Sequence, residues 1–199
     1  MLFEKEGEAL SLGQFEKLTG AKWIPQLDFE SFSLFSKLAK QGLKLHRKGE
    51  MTPEQLWLGS YFKKEILLSA PPDIAIRWID LAMGWGVFAL RNFKKMEFIA
   101  EYVGKVRKRR RSDLKNGYCF EYLLVQGISS RYTIDALEQG GVARYINHSS
   151  APNLNSCLAT FNDLSHVILY ANGPIAKGTQ LCYDYGPDYW AGRKAPISL

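Results

Sequence analysis

The chain has no apolar run approaching the roughly 18 residues that span a bilayer. Its opening residues, MLFEKEGEAL, carry acids where a secretory signal carries bases. A soluble, intracellular protein without a membrane anchor is expected. Cysteine is scarce: the three, Cys119, Cys157 and Cys182, have neither CxxC nor CxC spacing. They read as small buried hydrophobes in a reducing compartment, with no disulfide and no zinc site. The three histidines, His46, His148 and His166, stand too far apart for metal-ligand spacing, so no metal is expected. Ser149 and Ser150 lack a GxSxG elbow, which excludes that class of hydrolase, and no GK[ST] follows a glycine-rich turn, which excludes a phosphate loop. Internal repeats are absent, and the one biased tract is basic.

With 199 residues the chain can bury a core without cross-links. Its net charge of +6 is carried by one stretch, because Lys105, Arg107, Lys108, Arg109, Arg110 and Arg111 supply six positive charges and the remainder balances. Six like charges cannot all be buried, so the run is expected to be a solvated loop. Its functional readings are nuclear import, favoured by the composition of KVRKRRR, and weak nucleic-acid contact through Lys105 to Arg111.

Residues 1 to about 72 read as helices. Ser11 followed by Gln14, and Thr52 followed by Pro53 and Gln55, are helix-start signatures. Leu56, Tyr61, Phe62, Ile66 and Leu67 are expected to share one helical face until Pro71 and Pro72 end it. Phe29, Phe32, Phe35, Leu38 and Ala39 recur at helical spacing up to Gly42. Those aromatics are too apolar to leave in water, so this extension is expected to pack on the rest of the chain or to form a homodimer. After Pro72 the period becomes two, and Ile74 to Trp78, Val87 to Leu90, Phe98 to Val103, Phe120 to Val125, Arg131 to Ile134, Ser156 to Phe161, Val167 to Tyr170 and Gln180 to Tyr183 read as short strands. The division is a helical extension over 1–72 and a mainly β domain over 73–199, together an α+β chain of small twisted sheets.

Arg144 to Asn153, RYINHSSAPN, has no regular period and concentrates hydrogen-bonding side chains, which is the composition of a site. Asn147 and His148 can offer amide and imidazole groups to a ligand. Tyr183, Asp184, Tyr185 and Gly186 (YDYG) follow an apolar run downstream, and Gly84, Trp85 and Gly86 (GWG) open one upstream. Taken alone, alternating tyrosines describe one face of a half-buried strand, and a histidine between Asn and Ser describes a satisfied turn.

Taken together, GWGVFAL, FIAEYVGKV, YCFEYLL, YTIDA, RYINHSSAPN and PIAKGTQLCYDYG resemble, in order and from about Ile76 to Trp190, the SET-domain family of protein lysine methyltransferases. The resemblance implies S-adenosyl-L-methionine as cofactor and a knot-like C-terminal crossing of the NHS and YDYG segments. It implies that Gly84, Trp85, Gly86, Tyr118, Asn147 and His148 contact the cofactor, the glycines by allowing close backbone approach. It implies Tyr185 beside the transferred methyl and Tyr183 in the lysine channel, where tyrosine limits the product to monomethyl lysine. The substrate class is a lysine-bearing protein tail, histone or histone-like, in a nucleus, in a bacterial cytoplasm or, for a secreted effector, in a host nucleus. Ser150 stands where chromatin-acting members carry cysteine, and the tail GPDYWAGRKAPISL has none, so no zinc-built lid is expected and Tyr189 and Trp190 are the candidates to cover the cofactor. The competing readings are an inactive SET scaffold that binds a basic tail or partner and a nucleic-acid-binding module built on the basic run.

Overall fold

The computed structural model describes residues 1–70, 72–190 and 193. The first part runs β1 (Leu2–Lys5), β2 (Glu8–Ala9), α1 (Leu12–Thr19), β3 (Lys22–Trp23), β4 (Asp28–Phe29), α2 (Phe32–Arg47), α3 (Pro53–Tyr61) and α4 (Lys63–Leu68). It continues with β5 (Ile74–Asp80), β6 (Gly84–Ala89), β7 (Phe98–Glu101), β8 (Lys105–Lys108), β9 (Cys119–Glu121), β10 (Tyr132–Asp135) and β11 (Gln139–Gly140). The last elements are β12 (Asn147–His148), β13 (Leu154–Phe161), β14 (Leu164–Ala171), β15 (Gln180–Tyr183) and α5 (Pro187–Trp190). Single 3-10 turns lie at Arg111–Lys115 and Val142–Tyr145.

Among the described residues the strands form four small sheets: β12-β15-β6-β5-β1-β2, β4-β8-β10-β9, β13-β14-β7 and β11-β3. This is the α+β, mainly β arrangement that the change of period at residue 73 predicts. The helix starts also follow the sequence. Ser11 accepts from the Gln14 amide while the Gln14 side chain accepts from the Ser11 amide at 2.8 Å, and Thr52 accepts from the Gln55 amide at 3.1 Å ahead of Pro53.

Residues 1 to 72 are not purely helical. β1 pairs in parallel with β5, β3 with β11 and β4 with β8, so each pairs with a strand from the later part of the chain. Strands of two to four residues are too short to display a period, and it is the edges of the sheets that recruit them. Phe3, Phe15 and Leu38 lie in the same core cluster as Ile76, Val87 and Tyr183. Phe29 and Phe35 meet edge to face at 5.2 Å and are half-buried, whereas Phe32 is 80% exposed.

Two helix expectations differ from the structure. α2 passes through Gly42 to Arg47, because a glycine there lets the helix lie against the backbone of Asp163 in the β13–β14 turn, where a Cβ would collide. The helix beginning at Pro53 breaks at Phe62 (φ −96°, ψ 16°), whose ring is buried beside Phe98 and Tyr170 at 5.7 and 5.5 Å. The buried face is therefore Gln55, Leu58, Phe62 and Ile66, and Tyr61 and Leu67 point to solvent. α4 ends at Ser69, left-handed at φ 50°, before the two prolines; Pro71, the first stop signal in the sequence, lies outside the described residues.

The basic run is not a solvated loop. Lys105–Lys108 is strand β8, and the Arg107 side chain is only 6% exposed, held by Asp113 and Asp135 at 2.7 Å each. Two carboxylates around one guanidinium make its burial affordable, while Arg109 and Arg110 reach Glu121 and Glu30. Hydrogen bonding to Arg107 holds the Asp113 carboxyl below its ordinary value of 3.8. For Asp135 burial pushes upward, but the Arg107 hydrogen bond and others outweigh it and the net shift is also downward. The stability these carboxylates contribute is thus present above about pH 4 and is lost as pH falls through their lowered values. Arg107→Met is expected to cost about 3 kcal/mol at pH 7 in urea unfolding, because it leaves two half-buried carboxylates without their cation. As pH falls below about 4 its deficit should narrow, since the carboxylates are progressively protonated there; a deficit independent of pH would contradict this account.

Candidate active site

The last third of the chain brings the two polar segments together. β12 and β15 run in parallel, with Asn147 opposite Cys182 and His148 opposite Tyr183, and the Ser149 amide donates to the Tyr183 carbonyl at 3.2 Å. β6 lies on the other side of β15, so GWG, NHS and YDYG occupy one end of a single sheet. Asn153 fastens the junction as a peptide mimic. Its amide nitrogen donates to the Gln180 carbonyl at 2.8 Å and its oxygen accepts from the Cys182 amide at 2.9 Å. The Asn147 amide nitrogen donates to the Trp85 carbonyl at 3.1 Å, which ties β12 to β6.

Tyr185, just past β15, is fixed at both ends. Its amide donates to His148 Nδ1 at 3.2 Å, which makes Nδ1 the acceptor and assigns the ring proton to Nε2, and its hydroxyl donates to the Ile146 carbonyl at 2.7 Å. Its ring lies 4.7 Å from Tyr183 and 4.6 Å from Tyr189, and Trp190 closes on His148 at 4.9 Å. Tyr102, just past β7, lines the same cleft and donates to the Tyr118 carbonyl at 2.9 Å. Burial first, and then neighbouring phenols, push the Tyr102, Tyr183 and Tyr185 hydroxyls well above the usual phenol range. All three are therefore neutral at physiological pH, able to donate and accept hydrogen bonds but not to act as anionic bases.

These groups line an open cleft of about 1450 Å³. Pockets for small ligands commonly measure roughly 300–1000 Å³, so there is room for a bulky cofactor and a side chain of a second molecule. Gly84, Trp85, Tyr118, Asn147, His148 and Trp190 line the cleft with Tyr183 and Tyr185. Gly86 does not. It is buried, and a Cβ there would meet Ile79 Cδ1 at 2.6 Å and Gln180 Nε2 at 2.9 Å, so this glycine permits packing of protein on protein. Gly84 is required by its left-handed φ of 71°. Residues 191–192 and 194–199 of the tail, which the lid expectation includes, lie outside the described residues.

Three further residues that line the cleft have no individual role legible in the sequence. Tyr102 was hidden inside the apolar block FIAEYVGKV. Arg144 spreads over the Tyr118 ring at 4.0 Å while donating to the Ala136 carbonyl, and Tyr145 packs on Phe15 at 5.0 Å. The block RYINH was the available signal for the last two. Among the described residues no three His, Cys, Asp or Glu side chains gather as a metal site, and no helix is long and apolar enough to cross a membrane.

The junction thus has an asparagine and a histidine on one strand, with Tyr183 on its parallel neighbour and Tyr185 just beyond it. The SET-domain profile matches residues 84–186, more than half of the 199-residue chain, and the chain belongs to the SET-domain family. It is similar to the histone-lysine N-methyltransferase Set8 of Drosophila pseudoobscura pseudoobscura, 33% identical over 149 residues that cover 70% of this chain and 21% of that protein. It is also similar to the N-lysine methyltransferase KMT5A of Xenopus tropicalis, 38% identical over 112 residues that cover 52% of this chain and 33% of that protein. The chain thus spans between a fifth and a third of these relatives' lengths. Among solved structures, SUVH6 of Arabidopsis thaliana in complex with SAM aligns with a TM-score of 0.48 at 33% identity, covering 57% of this chain and 28% of that one.

Proposed function

We propose that this chain transfers a methyl group from S-adenosylmethionine to the side-chain nitrogen of a protein lysine, with a histone tail as the substrate and the eukaryotic nucleus as its place of action. The observation that carries this reading is the junction of β12 and β15, which brings Tyr185, its hydroxyl held by the Ile146 carbonyl, to the same cleft as Asn147 and His148, with room for two molecules. The donor set suits the cofactor. Trp85, Tyr118 and Trp190 offer aromatic faces, and the Asn147 oxygen has no protein partner among the described residues, leaving it open to an N–H of a ligand. When bound, S-adenosylmethionine supplies a methyl group on a sulfonium centre.

The residues of the chain handle the amine. Lysine, with an ordinary pKa of about 10.4, must shed a proton before its lone pair can attack, and walls made of Tyr102, Tyr183 and Tyr185 disfavour the ammonium. None of these phenols is ionised at neutral pH, so the proton goes to solvent. In the transfer a nitrogen–carbon bond forms as the sulfur–carbon bond breaks, giving methyl lysine and S-adenosylhomocysteine. Tyr185 orients the pair through a hydroxyl held in place from Ile146. Calorimetric titration with S-adenosylmethionine should give a saturable isotherm for the unaltered protein and an affinity at least tenfold weaker for Asn147→Ala. No heat of binding in the unaltered protein would end this reading.

Tyr183 is assigned the number of methyl groups. It is buried, lines the cleft, and its hydroxyl has no protein partner among the described residues, which suits it to hold a water where a second methyl would turn. Monomethyl lysine is the expected product. Tyr183→Phe should weaken that water by about 1 kcal/mol, roughly fivefold in occupancy, and shift product towards dimethyl lysine without abolishing turnover. Abundant trimethyl lysine at early times from the unaltered protein, read by mass spectrometry, would remove Tyr183 from this role.

A further inference from the structure

α2 buries one face and leaves the other without an acid. Leu38 and Gly42 are buried against the core side, whereas Lys37, Lys40, Lys44 and Arg47 are exposed. At about 100° per residue these four fall within an arc of roughly 80°, rising about 15 Å along the helix. Between Ser31 and Gly49 there is no Asp or Glu, and among the described residues none of the four takes part in an ion pair within 4.0 Å. The stripe does not end with the helix. Lys37 Nζ sits 5.9 Å over the Tyr132 ring, and Tyr132 is paired across the ladder with Lys108 of β8, an exposed member of the basic run that makes no ion pair among the described residues. Residues directly opposite in a ladder point to the same face, so Lys108 continues the line.

We propose that this face of α2, with Lys108, is a docking surface for the phosphate backbone of double-stranded nucleic acid. Each strand of duplex DNA carries one charge per about 3.4 Å of axis, so 15 Å of helix laid along one strand faces roughly four phosphates, a number that four or five cations match. The arc carries no aromatic side chain to stack on unpaired bases, and Phe32, the exposed aromatic of α2, lies outside it. An acidic membrane is disfavoured, because the apolar face that would insert is already committed to the protein core. No residue of α2 lines the catalytic cleft, so duplex and substrate lysine can be held together. The balance of charge outside Lys105–Arg111 concealed this face in the sequence, since the acids that offset it are on other elements.

The inference stands apart from the methyl-transfer reading and is tested without turnover. Anisotropy of a labelled mixed-sequence 20-base-pair duplex is titrated with the protein between 50 and 200 mM NaCl. The unaltered chain is expected to show a log–log salt slope of about −4, as for four or five phosphate contacts. The triple variant K40A/K44A/R47A, checked for an unchanged melting temperature, should flatten that slope by about 2 to 3 and weaken binding at 50 mM at least tenfold. R109A/R110A/R111A, whose first two arginines are already paired with acids, should stay within threefold. Equal duplex binding by the triple variant, absence of duplex binding by the unaltered chain, or a loss confined to phosphatidylserine vesicles or polyglutamate would overturn the proposal.

Discussion

Tyr185→Phe is expected to lower kcat for methyl transfer by roughly 100-fold while S-adenosylmethionine affinity changes less than threefold. The magnitude is that of removing one positioned hydroxyl whose interaction is realised only as the methyl moves. The lost atom is the one held by the Ile146 carbonyl at 2.7 Å, and the ring that remains still fills its place against Tyr183 and Tyr189. The fold, and Asn147 and His148 that are proposed to hold the cofactor, are therefore expected to be untouched, and kcat should fall without a matching rise in KM. A variant that keeps a third or more of the original kcat would show that Tyr185 packs the site and does not position the reacting groups.

A chain beginning at residue 73 is expected not to fold. It lacks β1, the parallel neighbour of β5, and with it Phe3, Phe15 and Leu38 of the main core and Leu58, Phe62 and Ile66 of the second cluster. At about 1.5–3 kcal/mol for each buried side chain, these six account for roughly 9–18 kcal/mol, as much as the entire stability of an ordinary domain, about 5–15 kcal/mol. The shortened chain should show no cooperative thermal transition and should aggregate. A soluble monomer melting at the temperature of the full chain would refute the view that the first 72 residues complete the core. Because Phe29 and Phe35 are taken up within the monomer, Phe32 is the aromatic of that trio left for contact with another molecule.

The sequence made certain features legible and hid others for physical reasons. Helix starts at Ser11 and Thr52 were readable because a cap is a local hydrogen bond between residues three apart. The strand Gln180–Tyr183 is readable because its short apolar run is bounded by Gly178 on one side and Asp184 on the other. β1, β3 and β4 were not, since partners distant in sequence decide whether two to four residues become a strand. The break at Phe62 and the passage of α2 through Gly42 are likewise settled by what each helix lies against.

At the site, NHS and YDYG stood out because their polar groups interrupt apolar surroundings. Tyr102 did not, because it lies just past an apolar strand, and the part that Asn153 plays within RYINHSSAPN is not legible until β15 is placed beside it. Gly86 was read as room for a cofactor, whereas its space is filled by Ile79 and Gln180. The charge of the run Lys105–Arg111 is legible by itself, whereas the pairing of Arg107 is not, because Asp113 returns from the turn that Arg111 begins and Asp135 comes from β10.

The central claim is methyl transfer to lysine, and the most direct measurement is incorporation of isotopically labelled methyl from S-adenosylmethionine into purified histones, with the modified residue located by mass spectrometry. The account predicts one label on a lysine side-chain nitrogen with the unaltered protein and about 100-fold less with Tyr185→Phe at equal cofactor occupancy. A protein that binds S-adenosylmethionine yet labels no lysine in histones or in a whole-cell lysate would contradict it.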